Sequence, residues 1–90
     1  MLVLTPQSAS RLVMATESDL RAVMEEHPWL DFSSATVLLS QAKFEVKRIS
    51  NSSHWDWTGV IFKCRKALSV AREIAATDTA VVRRRAVHLG

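Results

Sequence analysis

SHWDWTGVIFKCRKALSVAREIAAT, residues 53–77, carries the longest consistent apolar pattern in the chain. Trp57, Ile61, Cys64, Leu68, Ala71 and Ala75 recur at steps of four and three, which holds one stripe of a helix to one side. Ser53 followed by Asp56 has the form of a serine N-cap with a short acid at the third helical position. The segment reads as the central helix.

A second reading of the same residues competes with it. Phe44-Glu45-Val46-Lys47 alternates between apolar and polar, and so does the run from Val60 to Cys64. Strand formers are frequent there, and Gly59 costs a helix about 1 kcal/mol relative to alanine. On that reading 44–50 pairs with 54–64 as a hairpin. With strands at 1–5 and 80–88, the order becomes strand-helix-strand-strand-helix-strand, a ferredoxin-like α+β arrangement. The helical reading is preferred because Ala35 to Ile49 and Trp57 to Ala75 each keep one unbroken stripe.

Upstream, Thr5-Pro6 has the form of an N-cap followed by proline at the first helical position. Leu12, Val13, Leu20, Val23 and Met24 share a face with Thr16 as far as His27, and Pro28 ends the segment. Thr16-Glu17-Ser18-Asp19 has the form of a fresh cap, which would divide this stretch into two helices. Glu17–Arg21 and Arg21–Glu25 have favourable spacing for helical ion pairs. Trp29, Leu30 and Phe32 are expected to plug the end of the core. Asp31 or Ser33 would cap the next helix, whose inner face is Ala35, Leu38, Leu39, Ala42, Val46 and Ile49. Ser50 to Ser53 reads as a turn, and Thr77-Asp78-Thr79 as another cap or turn. Val82, Ala86 and Leu89 would share a last helical face. The expected fold is all-α: one domain, residues 1–90, forming a small compact bundle of four to five helices.

Composition narrows the function. Hydrophobic residues make up 48% and charged residues 23%, as in a folded globular chain rather than a disordered one. A single cysteine, Cys64, excludes an internal disulfide and is compatible with a cytoplasmic setting. No apolar run approaches the roughly 20 residues that span a bilayer, so no membrane is expected. MLVLTPQSAS lacks the basic start of a secretory signal. Residues 1–42 hold two basic and five acidic side chains, and residues 43–90 hold ten and four, so a net −3 half precedes a net +6 half.

No constellation for catalysis stands out. A nucleophile needs a base, and the base needs an orienting group. Cys64 lies on the core stripe and reads as a small buried hydrophobe. His27, His54 and His88 do not stand at metal-ligand spacing, so neither a metal nor another cofactor is expected. Glu25-Glu26-His27 reads as the exposed end of a helix. The two glycines, Gly59 and Gly90, do not form a phosphate-cradling loop.

What remains points to binding. Phe62 stands among Lys63, Arg65, Lys66 and Arg72, and Phe44 among Lys43, Lys47 and Arg48. An aromatic ring inside a basic surface suits a protein partner or nucleic acid, unless the ring packs on a neighbouring element. Trp57 reads as core, whereas Trp55 is off the stripe and suits a partner contact. Arg83, Arg84 and Arg85 would fan over about 200° on a helix. The expected partner-binding set is Phe44, Trp55, Phe62, Lys63, Lys66, Arg83, Arg84 and Arg85. The expected function is a non-enzymatic binding protein that inhibits or modulates a partner protein, or a protein–nucleic acid assembly, by covering its surface. Small stand-alone products of mobile elements often act this way on host machinery, which is a prior about small proteins and not a reading of any residue. The alternatives are a direct DNA- or RNA-binding regulator and a homo-oligomer, such as a homodimer, built on the stripe from Trp57 to Ala75.

Overall fold

Thr5 opens the first helix. Its hydroxyl accepts a hydrogen bond from the Ser8 amide (3.2 Å), and Pro6 occupies the first helical turn. In the computed structural model, helix α1 runs Pro6–Glu26, α2 Ser33–Ser50 and α3 Thr58–Leu89. The structure describes the backbone of residues 4–89 and the side-chain surroundings of residues 4–78. Among the described residues there is no strand, so the ferredoxin-like alternative falls. The fold is a small compact helical one with three helices.

The count is three and not four to five because two threonines that resemble caps are used otherwise. The Thr16 hydroxyl donates to the Leu12 carbonyl (2.8 Å), and the Thr77 hydroxyl donates to the Glu73 carbonyl (2.9 Å). Each bonds back into its own helix instead of opening a new one. α1 therefore passes through residues 16–19 unbroken, and α3 passes through residues 77–79.

The helices run up, down and up. Glu17 on α1 binds Lys43 on α2, and Glu45 on α2 binds Lys63 on α3 at 2.8 Å. Buried residues from all three helices join in one cluster: Ala9, Val13 and Leu20 from α1, Ala35, Leu39, Ala42, Val46 and Ile49 from α2, and Val60, Cys64 and Ala71 from α3. Ala9, Ala35, Ala42, Ala67 and Ala71 are wholly buried. These small residues let the backbones approach closely. Phe32 and Trp57, 4% and 5% exposed, sit where α2 and α3 begin and close the core. The Trp57 indole N–H donates to the Leu4 carbonyl (2.8 Å), which ties the N-terminal segment to the start of α3. Leu4 itself packs on the core, while Met1 to Val3 of the expected apolar start lie outside the described residues.

Three local expectations are corrected. α3 begins at Thr58, not after Ser53, because Asp56 accepts from the Thr58 amide (3.1 Å) and hydroxyl (2.7 Å). Trp57 thus precedes the helix, its carbonyl accepting from the Ile61 amide (2.9 Å), and the buried positions that follow it are Val60, Cys64, Ala67 and Ala71, with Ile61 and Leu68 only partly covered. Of the expected plug, Phe32 is buried, but Trp29 is 66% exposed. The pair Arg21–Glu25 does not form among the described residues, because Arg21 turns to Glu17 (3.6 Å).

Candidate binding face on the second and third helices

α2 buries Ala35, Leu39, Ala42, Val46 and Ile49, so a residue two positions from this stripe points away from the bundle. Phe44 is such a residue and is 68% exposed; Val37, on the same side, is 53% exposed. α3 buries Val60 and Cys64, which turns Phe62 outward, 60% exposed. Both phenylalanines stand on the side of their helix away from the core and are more exposed than covered. Large apolar side chains left in water on adjacent helices are the informative kind of exposure.

The basic residues expected beside these rings divide into engaged and free. Lys63 binds the Glu45 carboxylate through Oε1, both side chains three-quarters buried or more, so Lys63 joins α2 to α3. The other Glu45 oxygen, Oε2, is buried without a hydrogen-bond partner. It lies where a side chain at Gly59 would begin, 3.2 Å from the position of a Cβ. Gly59 therefore makes room for Glu45 against the first turn of α3, where a carboxylate meets the positive end of the helix dipole. Lys43 is held by Glu17, and that bond, with the nearby Lys43 and Arg21 charges, keeps the Glu17 carboxyl below its usual range. Lys66 lies over the Phe62 ring, 5.5 Å from its centroid. Lys47 and Arg48 are exposed and form no ion pair among the described residues.

A shallow groove of about 430 Å³ runs along α2. Val37, Phe44, Glu45, Arg48 and Lys63 line it with Thr36, Ser40 and Gln41. The structure thus brings Phe44 and Lys63 to one groove, and pairs Phe62 with Lys66 on the outer side of α3. Trp55 stands apart, in the connection before α3, 46% exposed. Arg83, Arg84 and Arg85 fall on the last turns of α3, and their side chains lie outside the described residues.

The sequence reading missed a cluster at the opposite end of α2. The Trp29 indole N–H donates to Asp78 Oδ2 (3.2 Å), and the His27 ring meets Trp29 edge-on, centroids 5.6 Å apart. His27 Nδ1 lies 3.7 Å from the same Asp78 oxygen. Forty-nine residues separate Trp29 from Asp78, so no local spacing announces this contact.

Burial raises the Cys64 thiol above its usual pKa, partly offset by contact with the Thr16 hydroxyl, so Cys64 is a protonated core side chain. Glu25 and Glu26 are exposed. Among the described residues no three His, Cys, Asp or Glu side chains gather as metal ligands, and no helix is long and apolar enough to cross a membrane. Comparison with protein-family models, with curated proteins and with solved structures returned no match.

Proposed function

We propose that this chain is a small non-enzymatic binding protein that modulates or inhibits a partner protein by covering part of its surface. The observation that carries this reading is the outward placement of Phe44 and Phe62 on adjacent helices, each more than half exposed. Buried in a partner's pockets, such rings supply most of the affinity of an interface, while flanking cations steer the approach. Phe44 and Phe62 are the anchors, with Trp55 a peripheral contact. Lys66, Arg48 and Lys47 are the steering charges. Lys63 acts indirectly, by holding Glu45. Arg83, Arg84 and Arg85 add three basic residues to the sequence of the second half, which suits a partner that is itself part of a protein–nucleic acid assembly.

Direct nucleic-acid binding is the weaker reading, because Lys43 and Lys63 are already engaged by carboxylates. A phosphate row draws its affinity from uncommitted cations. The test is a pull-down from lysate of the source cells, split and treated with or without nuclease. The same partner proteins are expected in both halves, and their loss is expected for Phe44→Ala combined with Phe62→Ala. Loss of every partner after nuclease would overturn the reading in favour of nucleic acid.

A further inference from the structure

The outer side of α2 carries a second stripe that the bundle does not use. Val37, Gln41, Phe44 and Arg48 recur at steps of four, three and four, and all four are exposed. That spacing is the seam one helix offers another. It extends about 16 Å along the helix, three turns. The groove beside it follows the same residues, with Glu45 and Lys63 as its far wall.

We propose that this groove seats an amphipathic helix of the partner protein, apolar on one face, with Asp or Glu on the flank that meets Arg48. The inference rests on the reading that the chain works by covering a partner. Charge complementarity selects the occupant. Glu45 is the one carboxylate lining the groove, and Lys63 already engages it. Arg48, at one end of the groove, forms no ion pair among the described residues and has no acid opposite. A helix that carries acid there and apolar side chains over Val37 and Phe44 satisfies both features. Two copies paired through α2 do not, because Glu45 is the only acid in α2 and it faces Lys63. Nucleic acid meets a concave surface centred on Val37 and Phe44, with Lys63 unavailable to a phosphate.

The experiment selects binders to the immobilised full chain from a displayed library of helix-forming peptides with randomised faces. Enriched peptides are expected to carry apolar residues at i, i+3 or i+4, and i+7, with Asp or Glu on one flank. Phe44→Ala should weaken the best of them at least about tenfold. Selection against Arg48→Glu should bring Lys or Arg to the flank where the wild type selected acid. Circular dichroism confirms that both variants, changed only at exposed positions, remain folded. Failure to enrich any peptide, enrichment of basic peptides by the wild type, or indifference to Phe44 and Arg48 would overturn the proposal. The broader reading fails separately. If lysate partners are lost with Phe62→Ala and Lys66→Ala but not with Val37→Asp and Arg48→Glu, the covering role stands and the groove is overturned.

Discussion

Asp31 and Asp56 act alike at the starts of α2 and α3. Each accepts hydrogen bonds from the backbone amide and the hydroxyl two residues on, Ser33 in one case and Thr58 in the other. Each is followed by a buried aromatic residue, Phe32 or Trp57. The bonds from Ser33 and Thr58, side chain first and then backbone, hold both carboxyls below the usual carboxylate pKa. A carboxyl so lowered stabilises the fold above its unfolded pKa, and that contribution disappears as pH falls through the folded value. Asp56→Ala should therefore lower the melting temperature near pH 7. The gap from the wild type should close as the pH is taken below about 4, followed by thermal scans across that range. The pattern was only half legible. Ser53 and Asp56 are both good caps, and local rules do not rank them; the burial of Trp57 under the Leu4 carbonyl does. Glu45 leads to a second prediction at this scale. Its Oε2 already lacks a partner, so Lys63→Met strips the other oxygen as well. The expected loss is about 1–2 kcal/mol in urea unfolding. Gly59→Ala should gain little in the wild type and about 0.5–1 kcal/mol in a Glu45→Ala background, where nothing opposes the new methyl group.

At the scale of the element, α2 was the most legible helix. Its buried positions Ala35, Leu39, Ala42, Val46 and Ile49 were all on the stripe read from sequence, because no glycine, proline or cap signal interrupts it. For α3 the buried stripe runs Trp57, Val60, Cys64, Ala67 and Ala71, so Trp57, Cys64 and Ala71 lie where the pattern puts them, while Val60 and Ala67 take the places of Ile61 and Leu68. The direction of Phe44 followed from the wheel, but whether another element covers it is a tertiary fact that periodicity does not carry. The two sides of α2 should respond differently to truncation. Phe44→Ala removes a side chain that is 68% exposed and should change stability by less than about 0.5 kcal/mol. Leu39→Ala opens the core at a residue that is 5% exposed and should cost about 2–4 kcal/mol. Denaturant unfolding of the two variants checks this directly. A comparable loss from both would mean that Phe44 supports the fold and is not free to serve a partner.

The molecule measures 62 × 25 × 16 Å. Each end of the region where all three helices pack has its own tie across the helices. Trp57 to Leu4 fastens the chain where α1 and α3 begin, and Trp29 to Asp78 fastens the connection between α1 and α2 to the side of α3. Neither tie joins near neighbours in sequence, which is why neither was legible there. They differ in burial. Trp57 is 5% exposed, whereas Trp29 is 66% exposed. Opening of the Trp29 tie uncovers little apolar surface and should be a local event, well below the free energy of global unfolding. Distant sites also act nearly additively. Asp78→Ala should therefore speed amide exchange in residues 27–31 while leaving the slowest amides of α2 near their wild-type rates. Trp57→Phe keeps a ring in the core but leaves the Leu4 carbonyl without its donor, at a cost of about 1 kcal/mol. It should speed exchange at the start of α1 and, because the ring is part of the closed core, lower protection throughout the bundle. Hydrogen exchange on both variants separates the cases. If Asp78→Ala also lowered protection across all three helices, the Trp29 cluster would be part of the cooperative core, and the two ends of the packed region would not be independent.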